Sequence, residues 1–392
     1  MTERWIEPSG TVHWVGTGMS TGHSGLTALA EDTDVVLWGR TRERARRRLE
    51  MLDVSASVSV RGLDRDDLAD SIGPGDVVVS MLPVAHHTEL LRTALDNRAH
   101  FACTSYTAPE VAELSQRARE VGTVVLTEAG LDPGIDHLMA HVLVTQAREQ
   151  VGDTADRVAL TSYCGGIPAH PGEFRYQFSW APVGVLRALT TPARYIHGGQ
   201  VRVAERPWEA TETYTVGGEA FEVYPNRDSI GFTSQYGLPP EWTVETFVRG
   251  TLRPSGWKRA WGPVFDVVAS GADDRIVALA EDLAERYPTT PEDRDRVVLA
   301  VTLEVEHADV RWEGCYTLDV AGDHTDTAMA RCVSSSLASG LRSVVKSRWQ
   351  PGLHRATADP SEANEWLTSL AGHDLPMTYH SSEKGRRDVR DD

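Results

Sequence analysis

Four cysteines in 392 residues is few, and Cys103, Cys164, Cys315 and Cys332 stand far apart. They supply neither a disulfide framework nor a metal-ligand spacing. No apolar run reaches the roughly 18 residues that a membrane-crossing helix requires. Met1–Gly10 is short, charged and followed at once by a strand, so no signal peptide is expected. Positive charge is in deficit: 39 Lys and Arg against 57 Asp and Glu leave a formal net charge of −18. Nucleic acid is therefore not an expected partner, and an anionic ligand needs a local cluster of arginines to overcome the field of the whole chain. No internal repeat is present. These absences lead to the expectation of a cytoplasmic protein without a membrane partner. What remains, 41% hydrophobic and 24% charged, is ordinary globular composition with length for about two or three domains.

Thr11–Val15 reads as a short strand that runs into Gly16-Thr-Gly18-Met-Ser-Thr-Gly22, then into Leu26 and Leu29 at helical spacing. Strand, glycine-rich turn and helix in that order form a dinucleotide-binding unit. Gly16 permits the turn, Gly18 lets the backbone approach a pyrophosphate, and the helix N-terminus faces the negative charge. Thr21 stands where the third glycine is usual, so a plain glycine-rich loop is the competing reading. The next strand, Asp34–Trp38, decides the cofactor type. Roughly 20 residues beyond the motif, where NAD-binding folds carry an acid, this chain has Arg40. A guanidinium binds a 2′-phosphate that a carboxylate repels, which indicates NADP(H). Arg46, Arg47 and Arg48 read instead as a solvated helix face. Asp76–Pro83 is a buried strand closing over the expected cofactor site. His86 and His87 read as surface or capping residues, because adjacent positions face different ways on a helix. The residues expected on the cofactor are Gly16, Gly18, Met19, Arg40, Thr41, Ser80, Leu82 and Pro83.

His100–Tyr106 is a further strand, and Thr123–His141 is the pivot of the chain. Val124-Val-Leu126 is a buried parallel strand, Gly130–Gly134 breaks it, and a helix departs at Ile135. Asp132, Asp136 and His137 sit at that turn, just beyond a strand end, where α/β sheets bind ligands. After about Gln150 the texture becomes α+β, with aromatics and turns to about Val264 and mostly antiparallel strands. Arg227, Arg249 and Arg253 stand in polar and aromatic motifs that look buried. Asp323–Ser347 reads as a long helix, and Thr378–Asp392 as a charged tail expected to be disordered.

Several segments together resemble the saccharopine reductase family, the NADP-dependent, glutamate-forming saccharopine dehydrogenases of lysine metabolism. They are Thr104-Ser-Tyr106, Glu128–His137, Ser162-Tyr-Cys-Gly-Gly-Ile-Pro168, Phe178-Ser-Trp180, Tyr224-Pro-Asn-Arg-Asp-Ser229 and Arg249-Gly-Thr-Leu-Arg253. The resemblance implies an α/β fold: a doubly wound Rossmann-type domain (1–131 plus 322–377) with an inserted α+β substrate domain (132–321). It implies that Tyr106, Asp132 and Cys164 surround the reacting nitrogen. It places Ser105, Arg175, Asn226, Arg227, Arg249, Thr251 and Arg253 on small amino-acid substrates. The expected activity is NADP(H)-dependent hydride transfer to or from the carbon–nitrogen bond joining 2-aminoadipate 6-semialdehyde and L-glutamate. No sequence feature sets the oligomeric state, and a homodimer is the assembly considered. Two departures stand out: Thr21 in the cofactor loop, and Val183 where the family often has Arg.

Each site residue also has a plainer reading. Asp132 caps the helix that starts near Ile135. Cys164 is a small buried hydrophobe, Tyr106 an interface aromatic, and His137 a packed helix residue. Arg227 and Arg249 form structural ion pairs, with Asp228 a partner for the first. Two rival functions follow: a reductase of another imine, of the carboxy-polyamine type, and a non-catalytic NADP-binding regulator.

Overall fold

The structure, a computed structural model, describes residues 5–54, 58–64, 66–178, 181–288, 290, 292–346 and 349–385. It divides into two units: Met1–Leu138 with Gly322–Thr357 and Asn364–Asp374, and Met139–Ala321 with Ala358–Ala363 and Leu375–Asp392. The helix Ile135–Val151 begins in the first and continues in the second.

The first unit is a parallel sheet. Runs such as Val77-Val-Val-Ser80 are apolar on both faces, which suits central strands covered on both sides. In chain order the strands are β1 (Thr11–Val15), β2 (Asp34–Gly39), β3 (Ser59–Gly62), β4 (Val77–Ser80), β5 (His100–Cys103) and β6 (Val124–Thr127). A late strand, Gly352–Arg355, pairs with β6. The spatial order is Gly352–Arg355, β6, β5, β4, β1, β2, β3. Every pairing is parallel. The order reverses between β1 and β4, the switch point at which doubly wound sheets take their ligands.

The polar groups inside this unit are paired. The Trp38 indole donates to His13 Nδ1 at 3.2 Å, which leaves the His13 proton on Nε2, 3.0 Å from Asp76. Burial pushes the Asp76 carboxyl up, but His13, Ser9 and the Gly73 N–H outweigh it and hold the group below its usual range. The helix Ala328–Val345 starts later than the sequence suggests, because Thr327 caps it by accepting the Ala330 N–H at 3.0 Å. It packs on the helix His23–Ala30 so closely that a Cβ at Gly25 would lie 2.4 Å from the Ser334 carbonyl oxygen.

Two buried histidines make this unit acid-sensitive. Burial lowers His87 and His100 from 6.5 to about 4. The folded state therefore takes up these protons later than the unfolded chain. The histidines' contribution to stability begins to be lost as pH falls through 6.5, declines steadily toward 4, and levels off below. Each group accounts for on the order of 3 kcal/mol across that window. Unfolding midpoints measured from about pH 7.5 down to about pH 4 should show this slope. His100→Gln, which retains an acceptor for the Val124 N–H now bonded to His100 Nδ1, should flatten its share.

In the second unit the strands are β7 (Ala155–Pro168), β8 (Ala193–His197), β9 (Gln200–Ala204), β10 (Glu212–Val216), β11 (Glu219–Pro225), β12 (Trp242–Pro254), β13 (Asp295–His307) and β14 (Val310–Ala321). The main sheet runs β10, β11, β12, β7, β13, β14 and a final strand, Met377–Gly385, with β8 and β9 attached beside β12. All pairings are antiparallel except that of β12 with β7. One apolar cluster joins Tyr163, Phe221, Val223, Leu252 and Val298. A second is aromatic and includes Phe174, Tyr176, Trp208, Tyr224, Trp257, Trp261 and Phe265.

The charged tail is a correction. Thr378–Gly385 is not disordered: it lies in the strand Met377–Gly385, along the edge that β14 would otherwise expose. Tyr379 packs 4.7 Å from Tyr316 there and donates to Gln146 at 2.8 Å. The alternation of the segment is too polar to read as a strand, and the waiting edge supplies what local sequence does not. Residues 386–392 lie outside the described residues.

Candidate active site

In the first unit the chemistry-bearing residues collect at the carboxyl ends of β1, β2, β4, β5 and β6. Gly16 adopts φ +132°, and a Cβ there would lie 2.8 Å from the Met81 carbonyl oxygen, so the turn after β1 admits only glycine. Thr21 explains its own presence. Its hydroxyl donates to Gly16 O and accepts from the Trp14 indole, both at 3.1 Å, closing the loop from inside. The close packing that a third glycine would provide falls to Gly22 and Gly25 instead.

Two expectations for this loop are overturned. The N-terminus of the helix His23–Ala30 does not stand ready for a pyrophosphate. Asp326 accepts the His23 and Ser24 N–H groups and the Ser24 hydroxyl, each at 2.8 Å. A carboxylate from the distant returning segment thus satisfies the end of the helix dipole. Arg48 is not a solvated residue. It is partly buried, and its Nη2 donates to Thr21 O at 2.5 Å, tying the helix Arg42–Met51 to the loop. Burial lowers its pKa, and Asp326 opposes that shift. Gly18 has open space at its Cβ position and Met19 is 46% exposed. Arg40 is exposed, and Thr41 caps the helix Arg42–Met51 by accepting the Arg44 N–H. Ser80 is buried at the end of β4, Leu82 half-buried and Pro83 exposed.

Beyond β5 and β6 the turn residues converge. The Tyr106 hydroxyl donates to Asp132 Oδ1 at 2.6 Å, the short distance of a hydroxyl–carboxylate bond. In the same turn Asp136 Oδ1 accepts the Gly134 N–H at 2.7 Å. Glu128 sits at φ +57°, unusual for a residue with a side chain. Its Oε1 accepts the Thr107 N–H at 3.0 Å and the Thr107 hydroxyl at 2.7 Å. Its Oε2 lies 3.1 Å from His137 Nε2, while His137 Nδ1 lies 3.4 Å from Asp136. His137 is thus a packed helix residue held between two buried carboxylates. Ser105, two residues beyond β5, hydrogen-bonds His87, which is 2% exposed rather than on the surface.

The second unit holds the other candidates. Cys164 is buried in β7, with Thr251 of β12 as its parallel partner and Leu299 of β13 on the other side. Arg249 is 3% exposed, its guanidinium 4.0 Å over the Phe232 ring, and its backbone N–H donates to the Ser229 hydroxyl at 3.0 Å. Arg253 is 7% exposed and enclosed by aromatic faces, 4.8 Å from Tyr176, 5.6 Å from Trp257 and 5.8 Å from Tyr224. Its Nη1 donates to Leu252 O at 3.2 Å and its buried Nε has no acceptor. Among the described residues no carboxylate pairs with it.

Arg227 departs from expectation: it is exposed, at φ +57°, and the neighbouring Asp228 pairs with Arg194 at 2.6 Å. Asn226 bonds its backbone N–H to Arg249 O at 2.9 Å. Arg175 is half-buried at φ +57°. Val183 packs against the aromatic cluster as an apolar residue. Ser179 and Trp180 lie outside the described residues.

Residues 130–375 match the family model of the saccharopine dehydrogenase C-terminal domain. The chain belongs to the saccharopine dehydrogenase family. Residues 12–126 match that family's NADP binding domain. An alpha-aminoadipic semialdehyde synthase of Bos taurus is 35% identical over 206 residues, 51% of this chain and 22% of that protein. The NADP-dependent, L-glutamate-forming saccharopine dehydrogenase of Pyricularia oryzae is 34% identical over 224 residues, 56% of this chain and 48% of that protein. The matches thus span about half or less of those relatives' length. The solved L-glutamate-forming saccharopine dehydrogenase of Saccharomyces cerevisiae shares the fold, with a TM-score of 0.78 at 24% identity over 95% of this chain and all of that one.

The family segments in the sequence led to Tyr106, Asp132 and Arg253. They gave no sign of Asp326, Arg48 or His87, whose roles come from residues remote in sequence. No described helix is long and apolar enough to cross a membrane.

Proposed function

We propose that this chain is an NADP(H)-dependent saccharopine dehydrogenase of the L-glutamate-forming type, acting on the carbon–nitrogen bond between 2-aminoadipate 6-semialdehyde and L-glutamate. The observation that carries the reading is Arg253. A guanidinium buried among aromatic rings without a carboxylate is costly unless a ligand brings one. Both proposed substrates bring carboxylates.

The residues that fit the cofactor are Gly16, Gly18, Met19, Arg40, Thr41, Ser80, Leu82 and Pro83, around a turn with no room for a Cβ at Gly16. Bound NADP(H) supplies or takes the hydride. In reduction the hydride adds to the imine carbon and the π electrons move to nitrogen. The chain's own residues handle the charge. Asp132, as a carboxylate, stabilises the positive iminium. Tyr106, its hydrogen given to Asp132, offers oxygen lone pairs to an N–H of the amine. Cys164 is proposed as a third polar group near that nitrogen, and Ser105, Arg175, Asn226, Arg227, Arg249 and Thr251 join Arg253 in holding substrate.

Purified protein should oxidise NADPH when given 2-aminoadipate 6-semialdehyde and glutamate, with saccharopine as the product by mass. Turnover with other amines but not glutamate would reject the assignment. Arg253→Leu should raise KM for one carboxylate substrate by about 10- to 100-fold, as loss of a charge-assisted contact does, while leaving the NADPH Kd unchanged. The cofactor assignment has a separate check. Arg40→Asp should weaken NADPH by about 10- to 100-fold, through a lost contact and a new repulsion. A wild-type preference for NADH in the same titration would overturn it.

A further inference from the structure

The imine chemistry above makes no use of His87, although this histidine joins two strand ends. His87 opens the helix His87–Asp96, which follows β4. Its Nδ1 lies 2.8 Å from the hydroxyl of Ser80, the last residue of β4, and its Nε2 lies 3.0 Å from the hydroxyl of Ser105, beyond β5. Burial takes its pKa to about 4, so the ring is neutral near pH 7 and carries one proton. The surroundings decide which nitrogen has it. Ser80 is 1% exposed, and among the described residues its hydroxyl has no side-chain or backbone partner other than His87. A buried hydroxyl must place its hydrogen on an acceptor. The Ser80 hydroxyl therefore donates to Nδ1, which leaves the proton on Nε2. Nε2–H then donates to Ser105 Oγ. Ser105 is partly exposed, so its own hydrogen is free to point outward.

The rest of Ser105 is fixed as well. Its carbonyl accepts the Glu128 N–H at 3.1 Å and the Cys103 thiol at 3.9 Å. Burial pushes that thiol up to about 12, so it keeps the hydrogen it donates. Tyr106, the next residue, carries the bond to Asp132.

We propose that His87 is a positioning residue that fixes the Ser105 hydroxyl as a hydrogen-bond donor to a carboxylate oxygen of the substrate. This rests on the saccharopine reading. The ring is tied at both nitrogens and cannot turn, so Ser105 presents a donor in every turnover. An amine nitrogen seeking an acceptor is disfavoured at that place.

The test combines spectroscopy and kinetics on the full chain. Nitrogen NMR of the wild type at about pH 7 should show His87 with a bare Nδ1 and a protonated Nε2. In Ser105→Ala the Nε2 signal should shift while Nδ1 stays. A proton on Nδ1 overturns the proposal. With NADPH saturating, Ser105→Ala and His87→Leu should each raise KM for one carboxylate substrate by about tenfold while kcat changes little, and in Ser105→Ala the NADPH Kd should stay that of the wild type. The double variant should be no worse than either single one, because His87 acts through Ser105. Multiplying effects, or a wild-type KM in folded His87→Leu, would overturn it. Should His87→Leu fail to fold, the wild-type tautomer and the Ser105→Ala shift decide. If the wild type does not turn over these substrates, the saccharopine reading falls separately, and the tautomer alone judges the role of His87.

Discussion

Asp132→Asn is expected to lower kcat by about 10²- to 10³-fold, the size of effect that follows removal of one charged group acting on the reacting centre. The side chain keeps its shape and can still accept from Tyr106, now 2.6 Å away. What disappears is the negative charge that makes a positive nitrogen favourable. NADPH affinity and melting temperature should change far less than kcat, since the amide is isosteric and Asp136 still accepts the Gly134 N–H. Tyr106→Phe should cost less, because the carboxylate survives it. Steady-state rates with NADPH titrated in parallel provide the check. An Asp132→Asn enzyme within threefold of wild type would reduce Asp132 to a turn residue and leave the proposed chemistry without its charge.

The second large effect concerns folding. Gly134 sits at φ +148°, and a Cβ there would lie 2.0 Å from the Gly130 carbonyl oxygen. That contact is with backbone, which cannot swing aside as a side chain can. Around it, Gly130 N–H bonds Pro133 O at 2.9 Å and Ile135 N–H bonds Gly130 O at 3.0 Å. Gly134→Ala must break this knot or strain it, a loss on the order of 3–5 kcal/mol. Against the 5–15 kcal/mol typical of a folded protein, that should give mostly insoluble chain or a melting temperature lower by many degrees. Gly18→Ala is the control, because its Cβ meets nothing within 4 Å. A Gly134→Ala protein that melts with the wild type would show the turn to be adaptable.

Strands and glycine turns were legible because their signals are local. Val77-Val-Val-Ser80 and Gly16-Thr-Gly18 carry their structure within a few residues, and the family segments point to Tyr106, Asp132 and Arg253. Long-range pairings were not. Nothing near His23 announces that Asp326 will cap its helix, and nothing near Arg48 announces the Thr21 carbonyl. The same holds for the final strand, whose hydrogen bonds are an opportunity offered by β14. Arg227 escapes local reading for a related reason. Its motif resembles a buried one, yet the Arg227 side chain lies exposed and Asp228 pairs with Arg194.

The Asp326 contact also has a bearing on how the protein is made. A ribosome delivers the glycine loop and six strands early, but the carboxylate that caps the helix at His23 and the strand that covers β6 come from residues 326 and 352–355. Until those emerge, the nascent sheet has an open edge at β6 and two unsatisfied amides at its nucleotide loop. Synthesis of the intervening second unit separates the two events. The first unit is thus begun first and completed late, and during that interval its bare edge is open to mispairing.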